Sequence, residues 1–171
     1  YGFEYFYGFM AGETSQYEPR LYENTTPVEP PHDETYHLTE DMADKALAWL
    51  SRHESYAKDK PFMMYWAPGA VHGPHHIFKE WADKYKGKFD GGWDAYRERT
   101  FKRQKEMGWI PQDAVLTERD PTMTAWDSIP ESERPFQNRL MELYAGFTEH
   151  TDAQRGKLLD GMEKMGVKEN T

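Results

Sequence analysis

Three histidines fall within the stretch His72-Gly73-Pro74-His75-His76, which follows the apolar run Pro61-Phe62-Met63-Met64-Tyr65-Trp66 and the link Ala67-Pro68-Gly69-Ala70-Val71. Imidazole changes charge near neutrality, so such a cluster offers acid, base, hydrogen-bonding or metal-ligating capacity. A short aromatic-rich apolar run bounded by Pro and Gly reads as a buried strand. Strand ends that open into Gly/Pro loops are where α/β proteins place their chemistry, because the sheet fixes the position of a polar group. His72 is the leading candidate, followed by Gly73, which permits close backbone approach. Its ring can hydrogen-bond an anionic oxygen or protonate a leaving group. The plainer alternative is a loop histidine bonded to a carbonyl. His75 and His76 lack the i, i+4 spacing of a helical metal site and have no acidic partner in the cluster, so no metal site is expected within the chain.

Other polar groups read as structural. Ser128-Ile129-Pro130-Glu131-Ser132 precedes a helix and has no general base near it in sequence, so Ser128 reads as a cap. Glu40, Asp41 and Asp44 read as solvated charge on a helix surface. His150-Thr151-Asp152 reads as a solvent-facing turn in the polar middle of a long helix.

The elements that must position these groups follow from the pattern. Residues 1–38 alternate aromatics with Gly and then carry Pro19, Pro27, Pro30 and Pro31, which predicts loop or short extended pieces. Thr39 can cap a helix with Glu40 and Asp41 in its first turn. On that helix Ala43, Ala46, Leu47 and Leu50 form a buried stripe at i, i+3, i+4, i+7. The strand at 61–66 comes next. Short helices are expected from Ile77 to Lys86 and from Trp93 to Met107, the second closed by Gly108. Ile110 to Pro135 is mostly loop. From Phe136, the faces Leu140, Leu143, Tyr144, Phe147 and Leu158, Leu159, Met162, Met165 predict one long helix ending near Gly166. Such an order belongs to an α/β domain with helices and long loops around at least one core strand, which needs sheet neighbours from elsewhere.

The chain has 171 residues with a net charge of −9 and no basic stripe, which argues against nucleic acid or an anionic membrane surface as partner. No apolar run approaches the roughly 20 residues of a membrane span. Aromatics make up 15% of the residues, too many for a disordered chain. Among them, Tyr7, Tyr17, Trp66 and Trp126 are candidates to contact an aryl group. The absence of cysteine excludes disulfides and thiol chemistry within the chain and carries no information on compartment.

Read in order, several segments together resemble the sulfatase family, in particular bacterial arylsulfatase-like enzymes of alkaline-phosphatase-type α/β fold. They are Gly2-Phe3-Glu4-Tyr5-Phe6-Tyr7-Gly8-Phe9, Tyr36-His37-Leu38-Thr39-Glu40-Asp41, Ala67-Pro68-Gly69-Ala70-Val71-His72-Gly73-Pro74-His75, Tyr85-Lys86-Gly87-Lys88-Phe89-Asp90, and Tyr144-Ala145-Gly146-Phe147 with His150-Thr151-Asp152. The resemblance implies hydrolysis of small-molecule sulfate esters, with His72 contacting the sulfate or the bridging oxygen. It also implies a formylglycine nucleophile made from a Cys/Ser-x-Pro-x-Arg motif and a calcium ion held by Asp and Asn ligands. Neither motif occurs here: Ser128-Ile129-Pro130 is followed by Glu131-Ser132 where Arg is needed, and no Asp-Asn-Gly segment is present. The expectation is therefore an internal part of one sulfatase catalytic domain, 1–171, truncated at both ends, inactive alone, with calcium and formylglycine supplied from outside it. Phosphonate or phosphate monoester hydrolysis on the same fold is the alternative, and a non-catalytic binding module the third reading.

Overall fold

Ala43, Ala46, Leu47 and Leu50 lie along α1 (Leu38–Tyr56), where Ala43 and Leu50 lose all exposure. The computed structural model describes residues 2–171 and leaves Tyr1 outside. The helix does not start at the expected cap. His37 holds the N-cap position, its Nδ1 accepting the N–H of Thr39 at 3.2 Å, and Thr39 is already helical and fully buried. Histidine is outside the usual capping set of Ser, Thr, Asp and Asn, so sequence preference points past it. Glu40 and Asp41 do occupy the first turn, at the positive end of the dipole. Asp41 is more than solvated charge. The hydroxyls of Tyr7 and Tyr36 both donate to its Oδ2, that of Tyr36 at 2.8 Å. Burial first, and the carboxylate second, push both phenols above their ordinary range.

The N-terminal stretch folds into a small antiparallel sheet ordered β1 (Tyr7–Gly8), β2 (Leu21–Glu23), β3 (Thr26–Val28), with Tyr7 opposite Glu23 and Leu21 opposite Val28. Asn24 makes the turn at φ 56°, a conformation its side chain tolerates. It ties the turn to β1 twice: its N–H donates to Phe6 O at 2.8 Å and its Oδ1 accepts the Phe6 N–H at 3.0 Å. Pro27 sits on the edge strand, where a missing donor is tolerated. Leu21, Tyr36 and Leu38 bury together and fasten this sheet to the start of α1.

The α/β class with helices and long loops holds, but the strand expected at 61–66 forms no ladder among the described residues. Its burial still alternates. Phe62, Met64 and Trp66 are half-buried, while Met63 and Tyr65 are 75% and 78% exposed. Period-two burial is the signature of a strand; the ladder is missing because no neighbouring strand lies within these residues. With α1 and the N-terminal aromatics, this run lines an apolar groove of about 480 Å³ that includes Phe3, Tyr7, Trp49 and Trp66.

The remaining helices are α2 (Lys79–Asp83), α3 (Gly92–Glu106) and α4 (Arg134–Lys164), with a 3-10 turn at Trp126–Ser128. Single-turn α2 is shorter than the expected 77–86. Gly108 and Trp109 close α3, donating to the carbonyls of Lys105 and Gln104 at 3.0 and 2.9 Å. Ser128 caps nothing on α4. Its hydroxyl donates back to Ala125 O, and Glu133 holds the N-cap position without a side-chain bond. Around α3, the Trp93 ring meets Trp126 edge-on, Asp94 accepts the Trp126 N–H at 2.9 Å, and Arg97 donates to Thr117 O. These bonds fold 107–128 back onto its own helix.

The single long helix is as expected, 31 residues spanning roughly 46 Å at 1.5 Å per residue. Its middle is pressed against α2. Phe147 is fully buried with Ile77 and Ala82, a side chain worth roughly 2–3 kcal/mol on burial. Lys84 pairs with Glu149 at 2.9 Å, and buried Glu142 accepts the Gly87 N–H at 3.0 Å. At the crossing, a Cβ on Gly146 would stand 2.8 Å from both Ala82 N and Trp81 C, so only glycine lets the backbones touch.

Gly146→Ala should accordingly destabilise the protein by about 1–3 kcal/mol, the range for overpacking a close contact. Gly156→Ala, on the same helix with nothing within 4 Å of its new Cβ, should be neutral or stabilising by roughly 0.5–1 kcal/mol. Denaturant unfolding of the two variants checks this; equal midpoints would refute a backbone contact at Gly146.

Candidate active site

The loop that follows 61–66 is not free chain. The His72 N–H donates to Gly69 O at 2.9 Å, and the His76 N–H to Pro74 O at 2.8 Å. His75 packs edge-on against Tyr144 of α4, its Nε2 donating to Val71 O at 3.1 Å. His76 Nδ1 lies 3.4 Å from both the Gln16 N–H and Ser15 Oγ, and the Tyr17 ring stacks on the His76 ring at 5.1 Å. Two of the three histidines are therefore absorbed in holding the loop.

His72 is not absorbed. Its side chain is 71% exposed, its Nδ1–H donates to Gly73 O at 2.6 Å, and Glu13 Oε2 lies 3.9 Å from the same nitrogen. Nε2 has no partner among the described residues. One ring nitrogen thus fixes the imidazole while the other faces outward, the arrangement expected of a group that meets a ligand. The bland alternative for His72, a bond to a carbonyl, is also present, and it uses only one of the two nitrogens.

Beneath the loop lies a buried polar cluster that sequence reasoning missed. The His37 ring is 1% exposed, between Tyr17, Phe78, Phe147 and His150. Its Nδ1 accepts the Thr39 N–H and its Nε2 lies 3.1 Å from His76 O. The two bonds dictate the tautomer. Nδ1 must carry the lone pair and Nε2 the proton, because a backbone N–H can only donate and a carbonyl only accept. Burial first, and the His150 ring second, lower the His37 pKa to about 4. His150 was expected to face solvent and is instead fully buried, its Nε2–H donating to Glu40 Oε1 at 2.8 Å. Two histidines with ring centroids 4.4 Å apart thus join α1 to α4 beneath the loop. Gln16 joins them: its carbonyl accepts the Leu38 N–H at 2.8 Å, and its side chain accepts from Thr39 Oγ1 at 3.3 Å. No local pattern announces a buried histidine in a polar helix segment, since the aromatic rings that cover it come from distant positions.

The aryl-contact candidates separate. Tyr17 reaches the histidine loop, as its stack on His76 shows. Trp126 is 5% exposed and packs against Trp93 and α3, away from solvent. Tyr7 is tied to Asp41, and Trp66 lines the apolar groove with its Nε1 buried and unpartnered. Among the described residues, no three His, Asp or Glu side chains come together as a metal site. Among the same described residues, no helix is long and apolar enough to cross a membrane.

A frame of helices and a small sheet thus presents one exposed imidazole, that of His72, from an anchored loop. The sulfatase family profile matches residues 1–171, so the chain belongs to the sulfatase family. Among curated relatives, it is 30% identical to an uncharacterised sulfatase of Schizosaccharomyces pombe over 90% of this chain and 27% of that protein. It is 25% identical to an arylsulfatase of Klebsiella aerogenes over 99% of this chain and 38% of the relative. The chain therefore spans well under half the length of either.

The lowered His37 pKa has a thermodynamic sign. Between about 4 and 6.5 the unfolded chain binds a proton that the folded chain refuses, so stability is complete above pH 6.5 and falls as the pH drops toward about 4. The shift corresponds to a loss on the order of 3 kcal/mol. The groups facing His37 are the His150 and His76 rings, and Glu40 lies beyond His150. His37→Gln removes the titrating ring, so unfolding free energies measured from about pH 7 to pH 4.5 should fall less steeply for the variant than for wild type. Parallel curves would exclude His37 as the source.

Proposed function

We propose that these residues form an interior part of one sulfatase catalytic domain, in a protein that hydrolyses aryl-type sulfate esters. In this reading His72 contacts the sulfate or the ester's bridging oxygen. The observation that carries it is the state of His72: exposed, held through Nδ1, and open at Nε2, in a loop whose other two histidines are spent on structure. Cleavage of a sulfate ester builds negative charge on the departing oxygen. An imidazolium Nε2–H placed there donates to that oxygen and lowers the barrier, and general-acid help of this kind contributes about 10²–10⁴-fold.

The family's calcium and formylglycine do not fit the residues of this chain. The acidic side chains form no metal cluster among the described residues, there is no cysteine, and the Ser128 hydroxyl is spent on Ala125 O. Both groups belong, in this reading, to parts of the parent outside these 171 residues. The strand-like but unladdered run 61–66 supports the same view, because its exposed Met63 and Tyr65 suit sheet neighbours and covering elements from the rest of the domain.

His72→Ala in the full-length parent should lower kcat on aryl sulfates by about 10²–10⁴-fold, with a larger effect on esters of poorer leaving groups. Paired phosphate and phosphonate monoesters belong in the same assay. Faster turnover of those esters would reassign the substrate class, and undiminished aryl sulfate turnover by the variant would remove His72 from the chemistry. The parent reading frame offers a second check: a Cys/Ser-x-Pro-x-Arg segment before this stretch and an Asp-Asn-Gly segment after it are expected.

A further inference from the structure

His72 reaches the position described above only if the loop beneath it keeps one shape, and the bonds that hold that loop converge on a residue in another element. The loop's distal end, His76, is grasped from three sides. Its carbonyl accepts from His37 Nε2 at 3.1 Å, its Nδ1 meets the Gln16 N–H at 3.4 Å, and its ring lies parallel to Tyr17. The proximal end is grasped by the same neighbour, since the Gln16 amide presses on Gly69 so closely that a Cβ there would meet Nε2 at 2.6 Å. Gln16 is in turn fixed by the Leu38 N–H and by the hydroxyl of Thr39, the residue whose N–H His37 caps.

We propose that His37 is a positioning residue for His72, acting as a neutral two-way pin whose Nδ1 takes the Thr39 N–H while its Nε2–H holds the His76 carbonyl. This role rests on the reading that His72 acts on substrate, but the pin itself is a matter of hydrogen bonding and can be tested apart from it. The buried site keeps one tautomer. Reversal would face a proton at Nδ1 toward the Thr39 N–H and a lone pair at Nε2 toward a carbonyl, two repulsive contacts in place of two bonds. His150 supplies the wall: fully buried and tied through Nε2 to Glu40, it keeps the His37 ring from turning away from the loop.

Two amides divide the functions of the imidazole. In His37→Asn the short side chain imitates Nδ1 and can still accept from Thr39 N–H, but it cannot reach the His76 carbonyl. In His37→Gln the longer amide imitates Nε2–H and can still donate to that carbonyl. In the full-length parent, His37→Asn should lower kcat on an aryl sulfate by about 10- to 100-fold with little change in KM, and His37→Gln should recover most of the loss. Hydrogen exchange at the His72 and His76 amides should quicken in His37→Asn and stay slow in His37→Gln. Equal loss in both variants, with equal exchange, would make His37 a mere packing residue and overturn the pin. If the Asn variant exchanges faster while His72→Ala is fully active, the pin stands and the role of His72 is what fails. Imidazole nitrogen spectra of the wild-type parent at neutral pH decide the matter even if neither variant folds. A protonated Nε2 with a bare Nδ1 at His37 supports the pin, and the opposite tautomer overturns it.

Discussion

A histidine side chain with one nitrogen that must accept and one that must donate is the constraint on which this structure turns. His37 begins α1, so its Nδ1 is claimed by a helix end that has orphan N–H groups to satisfy. Its Nε2 then has no choice of partner type, and the partner it finds is the backbone of the histidine loop. Helix initiation and loop placement are thereby one event. The aromatic packing around the ring makes that choice durable by excluding the water that could satisfy either nitrogen instead.

What was legible in the sequence was periodicity. The Ala43–Leu50 stripe gave α1, and the two apolar faces from Leu140 to Met165 gave a single long helix, because a repeat near 3.6 is a local property of the chain. That His72 lies on a loop after the apolar run was also legible. The rest depended on partners far away in sequence. The run 61–66 has the burial of a strand but no neighbour, so its pattern was read correctly and its ladder was not there to find. His37 was passed over as a cap because Thr39 is the better capping residue by type, and tertiary packing overrode that preference. His150 sits between Glu149 and Thr151, polar company that suggests solvent; only the arrival of Trp81, Phe78 and His37 from other elements buries it.

Membership of the sulfatase family fits a chain built less as a core than as a bracket. Helices α1 and α2 are held by α4, which meets both, while the sheet rests on α1, and Met63 and Tyr65 of the 61–66 run beside the apolar groove stay exposed. Beneath the histidine loop, the His37 ring and the His150 Nε2 are buried and bonded, with the His150 Nδ1 left without a partner, whereas the His72 side chain on the loop is 71% exposed.

The stretch from α3 through Trp126 is fastened mainly to itself. Trp93 and Asp94 seize the Trp126 turn, and Arg97 and Arg119 close over the intervening backbone at Thr117 and Met123. Such a lobe behaves as a module with its own clasp. Residues gained or lost between Trp109 and Val115 would be taken up inside that clasp, leaving α4 and the His37 junction where they are. Within an otherwise tightly registered bracket, this is the place where a gene can change its length without retuning the site.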